Sequence, residues 1–247
     1  MKNLVLILSL LITSVSVQAQ SAKEIITKAD NKLRGNSAYA EMTITSIRPK
    51  WSKVMQLKTW TQGSNKSVTL ITSPAKEKGT VFLMRDKEIW NYVPSIDRTV
   101  KLPPSMMMQN WMGTDLTNDD MVKQSSIVTD YTHKIIGSEK VGDLMCWKIE
   151  LTPKKDAAVV WGKIITWIDK IDYMQMKALY YDEDDFLVNK IIATEVKLFG
   201  DKRLPSKLEF IPMDKKGHKT IIEYKTWQFG VTIPDEYFTT RYMKRLK

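Results

Sequence analysis

Cysteine and histidine are both scarce in this chain of 247 residues. The single cysteine, Cys146, excludes an internal disulfide, and the alternating pattern around it predicts a small buried apolar side chain in a strand. The two histidines are His133, in a predicted strand, and His218, beside a glycine in a predicted turn. A lone histidine is more often structural or exposed than catalytic, so neither residue is expected to perform acid–base chemistry.

Motifs for catalysis, metal binding and phosphate binding are also missing. The chain contains no GxSxG, HExxH or CxxC sequence and no phosphate-binding glycine loop. The acidic turn at 182–185 lacks the glycine and the distal glutamate of a calcium loop, so it predicts a solvated hairpin tip. Asp119 and Asp120 follow Thr117 at a predicted helix start, where negative charge complements the helix dipole. The sequence therefore predicts a protein that is not an enzyme and needs no metal or cofactor.

A long apolar run occurs only at the N-terminus. Lys2 precedes a mainly apolar stretch at 4–12, and Val17 and Ala19 stand at the −3 and −1 positions of a cleavage site. This run is too short for a membrane span, which needs about 20 apolar residues. It predicts a secretory signal peptide, residues 1–19, cleaved after Ala19. No cysteine follows the cut, so lipidation there is not expected, and the predicted location is the periplasm.

The chain carries a formal net charge of +10. Its lysines are scattered singly through predicted strands and turns, and an exported protein rarely meets nucleic acid, so no nucleic-acid partner is expected. Anionic lipid headgroups or an acidic docking partner are two partners that the charge would suit. A solvated lysine-rich surface explains the same charge equally well.

One helix and a long series of strands make up the pattern of residues 20–247. Ser21 and Glu24 have the spacing of a capping box, and Gly35 provides the stop of an amphipathic helix. Alternating segments without a βαβ rhythm then predict an antiparallel meander that curls and creates a concave face. No linker interrupts the series, which predicts one domain. The predicted strands are 39–47, 54–61, 67–72, 80–85, 88–93, 98–102, 132–136, 145–151, 161–169, 174–181, 187–198, 207–213 and 220–227.

Large apolar side chains are abundant, with eight tryptophans and fourteen methionines. They occupy both faces of several predicted strands, which indicates that something covers the second face. The candidates are the first helix, the methionine-rich segment after the sixth strand, a bound apolar molecule or a partner. The methionines of that segment suit an adaptable binding surface or ordinary core packing; they are Met106, Met107, Met108 and Met112.

Seven short motifs follow one another along the chain: GTVFL at 79–83, WNYVP at 90–94, WMGTDLTNDD at 111–120, WID at 167–169, YMQMKA at 173–178, LPSK at 204–207 and IPDEYF at 233–238. This order resembles the outer-membrane lipoprotein-sorting family of LolA/LolB-like periplasmic lipoprotein carriers. Two positions depart from the family pattern, because Trp111 stands where phenylalanine is commoner and Gln175 where proline often occurs.

The resemblance implies a mainly β fold with a few helices, an incomplete (half-open) antiparallel β-barrel with a helical lid. It implies a monomeric carrier that holds lipoprotein acyl chains, or other lipid, in a hydrophobic cavity for sorting to the outer membrane. An inner-membrane transporter and an outer-membrane acceptor are the implied protein partners. The residues expected to line the acyl cavity are Met42, Ile44, Leu83, Trp90, Tyr92, Met107, Met108, Trp111, Met112, Trp147 and Tyr180.

Three other functions remain open at this point. The same scaffold could serve as a periplasmic sensor module that recognises a protein. It could also serve as an accessory subunit that hands a hydrophobic ligand to an inner-membrane transporter. A hydrolase is the least favoured alternative, because the motifs of hydrolytic chemistry are missing.

Overall fold

The computed structural model describes residues 20–122, 126–157 and 159–246. The predicted signal segment, residues 1–19, lies outside this part of the chain, and its cleavage stays a prediction. Within the described residues, no helix combines the length and the hydrophobicity needed to cross a membrane.

Helix α1 (Ala22–Arg34) begins and ends where its local sequence predicts. The Ser21 hydroxyl accepts a hydrogen bond from the Glu24 backbone N–H at 3.2 Å, and the Glu24 carboxylate accepts one from the Ser21 N–H at 3.0 Å. Gly35, with a φ of 62°, donates its N–H to the Asn31 carbonyl at 2.9 Å and ends the helix. The predicted capping box and glycine stop are therefore confirmed.

Substitution Ser21→Ala is expected to lower the free energy of unfolding by about 1 kcal/mol, because it removes the acceptor of an otherwise unpaired helix N–H. Urea denaturation followed by circular dichroism measures the change. The matched control is Ser138→Ala, which removes a hydroxyl from an exposed strand position outside any cap. Equal losses in both variants would contradict the role assigned to the cap.

Thirteen strands lie in the described residues, as many as the alternation predicts. They are β1 (Ser37–Arg48), β2 (Trp51–Gln62), β3 (Lys66–Ser73), β4 (Val81–Arg85), β5 (Glu88–Val93), β6 (Arg98–Lys101), β7 (Tyr131–Val141), β8 (Leu144–Pro153), β9 (Lys163–Asp169), β10 (Gln175–Tyr181), β11 (Leu187–Phe199), β12 (Lys202–Pro212) and β13 (Lys219–Phe229). Short helices follow the sixth and the last strand: α2 (Asn118–Val122), α3 (Ser126–Thr129) and α4 (Thr240–Met243).

Two strands extend well beyond their predicted bounds. Strand β7 continues to Val141, beyond the predicted end at residue 136. Its register shifts between Ile135 and Gly137, and this bulge interrupts the alternation of side chains without ending the pairing with β8. Strand β12 begins at Lys202 and passes through Pro205, which lacks an N–H. There the Ser206 hydroxyl donates a hydrogen bond to the facing Glu195 carbonyl at 2.7 Å.

All thirteen strands form one antiparallel sheet in the order β6-β5-β4-β3-β2-β1-β13-β12-β11-β10-β9-β8-β7. Strands that are neighbours in the sheet are also consecutive in sequence except at the centre, where β1 pairs with β13. Among the described residues, the outer strands β6 and β7 have a partner on one side only, so the sheet is not closed into a barrel. The predicted fold class, mainly β with few helices and an incomplete antiparallel barrel, is confirmed.

The two faces of the sheet are covered by different elements. On the outer face, β3 and β4 pack against the 3-10 turn Asp235–Phe238 and α4. On the inner face, α1 covers β7 to β9, and the segment after β6 covers β1 to β5. We call this segment, residues 102–121, the cover segment. The space between these two covers holds the candidate site.

Candidate functional site

A cavity of about 400 Å³ lies on the inner face of the sheet. Strands β1 to β4 and β7 to β13 all contribute to its wall, which shows that the sheet curves around it. Helix α1 and the cover segment complete the enclosure. The lining is mainly apolar, and its large side chains include Met42, Leu57, Trp111, Trp161, Tyr180, Leu208, Phe210, Tyr224 and Trp227.

Small side chains form part of the cavity lining on the central strands of the sheet. Ala38 and Ala40 on β1 pair with Thr61 and Thr59 on β2, and all four residues line the cavity. On its other side, Ala40 pairs with Trp227 of β13. The cavity therefore runs beside a large aromatic ring over a floor of methyl and hydroxyl groups.

Helix α1 forms one wall with residues at helical spacing. Ile26, Ala29 and Leu33 face the cavity, and Ile26 is buried against the inner face of the sheet in a cluster with Leu151 and Ile164. The amphipathic stripe predicted from the sequence is thus the part of the helix that touches both the core and the cavity.

The cover segment is anchored by an aromatic residue of the WMGTD motif. Trp111 is buried and meets Phe82 edge to face, with ring centroids 5.3 Å apart. Met107 and Met112 pack around the same cluster, and Leu116 reaches the cavity. Met121 packs against this cluster as well, so three of the five methionines of the segment pack against the core, whereas Met106 and Met108 are exposed.

A buried ion pair ties the cover segment to the sheet. The Arg48 guanidinium lies 3.0 Å from the Asp115 carboxylate and donates a second hydrogen bond to the Gly113 carbonyl at 2.7 Å. The Thr220 hydroxyl donates to the same carboxylate at 2.7 Å and accepts the Asp115 N–H at 2.9 Å. Sequence reasoning missed this network, although Asp115 belongs to a motif that it singled out.

Burial raises the pKa of three phenols that line the cavity. It raises the pKa of Tyr224 to about 12, and it raises the pKa of Tyr180 further, with the nearby Asp120 carboxylate adding to the effect. Burial likewise raises the pKa of Tyr131 to about 12. These hydroxyls present dipoles rather than charges to whatever occupies the cavity.

The charged groups that line the cavity are engaged with the protein itself. The Asp30 carboxylate accepts a hydrogen bond from Arg34 at 2.8 Å, one helical turn away. The Asp120 carboxylate accepts the N–H and the hydroxyl of Thr117, both at 2.8 Å, and the Thr117 hydroxyl accepts the Asp120 N–H at 3.1 Å, which forms a capping box at the start of α2. These contacts give structural reasons for both carboxylates.

The potential metal ligands and the titratable side chains His133 and Cys146 have structural surroundings in the described part of the chain. Within it, no three side chains of histidine, cysteine, aspartate or glutamate come together in a way that could hold a metal ion. His133 places Nε2 2.7 Å from the Ile127 carbonyl, and burial lowers the pKa of its ring. Burial raises the pKa of the Cys146 thiol to about 11, which keeps it in the neutral form.

The structure separates the eleven predicted cavity residues into groups. Met42, Ile44, Trp111 and Tyr180 line the cavity. Met107 and Met112 lie in the core below the cover segment, Met108 lies at the surface, and Trp147 lies under α1. The remaining three, Leu83, Trp90 and Tyr92, lie on the outer face of the sheet.

The outer-face residues share one side of β4 and β5 because side chains alternate along a strand. Leu83 pairs with Trp90, and both pack toward the C-terminal segment, whereas Phe82 and Ile89 point to the inner face. A strand with large apolar residues on both sides does not reveal which side is inner. Tyr224 and Trp227 of β13 were not predicted either. They are three residues apart, and only the register shift opposite Glu41 and Met42 brings both to the cavity side.

Comparisons with known proteins agree with this architecture. The family model that matches residues 63–245 carries the description "Uncharacterized protein". No functionally curated protein matches the chain in sequence. A DUF1329 family protein from Desulfovibrio piger is 21% identical over 90% of this chain and 97% of its own, with a TM-score of 0.82.

Two further solved structures have the same fold. A LolA superfamily protein from Nitrosomonas europaea is 22% identical over 91% of this chain and 100% of its own, with a TM-score of 0.75. A Vibrio parahaemolyticus domain described as an outer membrane lipoprotein-sorting protein is 18% identical over 91% and 98%, with a TM-score of 0.76. The chain therefore belongs to the family of the matching model, and its fold is that of the LolA superfamily.

Proposed function

We propose that this protein is a periplasmic carrier that binds the acyl chains of lipoproteins, or of other lipids, in the cavity on the inner face of its sheet. The observation that carries the proposal is the covered, mainly apolar cavity. The LolA superfamily fold supports it, since one relative of this fold is described as an outer membrane lipoprotein-sorting protein.

The size and the lining of the cavity suit a hydrocarbon tail. A volume of about 400 Å³ falls within the range of small-molecule sites. Each buried methylene contributes about 0.8 kcal/mol, so ten would contribute about 8 kcal/mol before ordering costs. That balance gives micromolar or tighter retention that remains reversible, which is what a carrier requires.

The groups around the cavity favour binding without chemistry. Its hydroxyl groups belong to tyrosines, serines and threonines, for example Thr59, whose hydroxyl lies 3.1 Å from that of Thr69. Asp30 and Asp120 are held by the contacts described above. A LolA-like fold points in the same direction, to a binding protein rather than an enzyme.

The proposal includes the cellular setting. Residues 1–19 direct export and are removed after Ala19, and residues 20–247 act as one monomeric lipid-binding domain. An inner-membrane transporter loads the cavity, and an outer-membrane acceptor empties it. Reversible retention of the tail makes both transfers feasible.

Extraction and titration test the proposal. The purified protein is extracted with organic solvent and the extract analysed by mass spectrometry, and a fluorescent fatty acid is titrated into delipidated protein. We expect co-purified lipid and saturable uptake with one-to-one stoichiometry. Absence of both would overturn the proposal. Stoichiometric capture of one protein, unaffected by competing lipid, would support the sensor alternative instead.

A further inference from the structure

A basic groove lies beside the C-terminal half of α1, at the end of the sheet that carries the β9–β10 and β11–β12 turns. We use the name basic groove for the open depression lined by Lys28, Asn31, Lys32, Ile171, Asp172, Tyr173 and Lys202. None of these residues belongs to the motifs described above except Tyr173. The groove is separate from the core contacts that hold the cover segment.

Cations outnumber carboxylates in and around the basic groove. The Asp172 carboxylate pairs with two cations, the Lys32 ammonium at 3.4 Å and the Arg203 guanidinium at 2.8 Å. Lys28 lies over the Tyr173 ring at 5.0 Å, and Lys202 lies over the Phe229 ring at 4.0 Å. Asp201 is the neighbouring carboxylate of Lys202, and the buried Asp169 is a third carboxylate, beneath the turn. With the exposed Lys170 at the rim, five cations stand against three carboxylates.

An apolar side chain projects from the middle of this charged surface. Ile171 is 75% exposed at the tip of the β9–β10 turn. The buried Asp169 carboxylate holds the turn by accepting the backbone N–H groups of Ile171 at 3.0 Å, Asp172 at 2.9 Å and Met174 at 2.7 Å. The Asp169 carboxylate therefore fixes the backbone that presents Ile171 to solvent.

The basic groove adjoins the cavity. Tyr173 lines both of them, and α1 presents Lys28 and Lys32 to the groove but Ile26, Ala29 and Leu33 to the cavity. Leu33 is also partly exposed. A flat anionic surface placed against the groove would lie next to the cavity wall formed by α1.

We propose that the basic groove and the Ile171 tip form the surface by which this protein docks on an anionic lipid membrane. Lysine and arginine near such a surface are attracted to its headgroups, and an apolar side chain at the centre enters the interfacial layer. An acidic protein would also match the cations, but it would need a pocket shaped for the single projecting isoleucine, whereas a lipid interface accepts an apolar side chain without one. Docking would place α1 and the cavity beside the lipid that is to be carried.

Vesicle flotation tests this inference. The purified protein is mixed either with vesicles of pure phosphatidylcholine or with vesicles of phosphatidylcholine that also contain phosphatidylglycerol. We expect flotation only with phosphatidylglycerol, and its loss at high salt. The variants Ile171→Asp and Lys28→Glu/Lys170→Glu are expected to bind these vesicles at least about tenfold more weakly. Circular dichroism confirms that the variants are folded.

The opposite end of the sheet provides matched controls. Phe186 is 69% exposed at the β10–β11 turn, and Lys215 and Lys216 are exposed at the β12–β13 turn. Phe186→Asp and Lys215→Glu/Lys216→Glu make the same chemical changes and should bind vesicles as the unmodified protein does. Equal losses in both sets, or no flotation of the unmodified protein, would overturn the proposal.

A second readout separates this inference from the proposed function. Fatty-acid titration should be unchanged in Ile171→Asp and in Lys28→Glu/Lys170→Glu, because neither the tip nor these two lysines line the cavity. If titration fails in the unmodified protein while flotation succeeds, the carrier proposal falls and the docking surface stands. If flotation fails while titration succeeds, the docking surface falls alone.

Discussion

Substitution Ala40→Trp is expected to weaken fatty-acid binding roughly a hundredfold. Ala40 lines the cavity between its strand partners Thr59 and Trp227, and its small side chain is itself buried, so a larger side chain there would extend into the cavity. An indole there would displace about four methylenes of the ligand, a loss of ~3 kcal/mol. Titration with the fluorescent fatty acid measures the change, and Ala40→Leu should give an intermediate value.

The control for this prediction is a tryptophan on the surface. Leu198 is 69% exposed on β11, and Leu198→Trp adds the same ring outside the cavity. It should leave fatty-acid affinity unchanged. Overpacking at Ala40 costs about 1–3 kcal/mol of stability, so denaturation must show that the variant is folded under the assay conditions. Unchanged affinity in a folded Ala40→Trp variant would remove the cavity from the binding mechanism.

Substitution Asp115→Ala is expected to lower the free energy of unfolding by about 3–5 kcal/mol, because it leaves the buried Arg48 guanidinium without its counter-charge. Both side chains are more than nine-tenths buried, and the Thr220 hydroxyl loses its acceptor as well. Chemical denaturation measures the loss. Hydrogen exchange should rise most in the cover segment, because these contacts attach it to β1 and β13.

Two controls identify the cause of that loss. The double variant Arg48→Met/Asp115→Leu removes both charges and should recover part of the stability. Glu88→Ala breaks the Lys101–Glu88 pair, which is about half exposed, and should change the free energy of unfolding by less than about 1 kcal/mol. Similar losses for Asp115→Ala and Glu88→Ala, or faster exchange spread evenly over the sheet, would argue against the anchoring role.

The ion pair and the cavity belong to one arrangement. The cover segment closes the inner face with apolar contacts from Trp111 and Met107, but those contacts are non-directional. The Arg48–Asp115–Thr220 network fixes the orientation of the segment, because hydrogen bonds among a guanidinium, a carboxylate and a hydroxyl form only in particular geometries. The segment is therefore held at one defined position above the cavity.

Much of the fold could be predicted because it depends on neighbours in sequence. The cap of α1 involves Ser21 and Glu24, three residues apart, and strand alternation is visible within six to ten residues. Polar turns mark where the meander reverses. The prediction was least accurate at β7 and β12, where a bulge and Pro205 disturb the alternation without ending the strand.

The candidate site was harder to predict for a geometric reason. Leu83 and Phe82 are adjacent in sequence but point to opposite faces of β4, so choosing the wrong face moves a residue from the cavity to the outer core. Four of the eleven predicted residues line the cavity, and they lie on β1, on the cover segment and on β10. Most of the others are partly or fully buried apolar residues, but the sequence did not show which face of the sheet their side chains occupy.

The sequence by itself determined the class of the protein: a helix with its caps, thirteen strands and a surplus of large apolar side chains, all of which follow from local patterns. The tertiary structure decided which face became the cavity wall, which distant residues anchored the cover segment and which lysines gathered around Ile171. These outcomes depend on strand register and on the curvature of the whole sheet, because both bring together residues as far apart as Arg48 and Thr220.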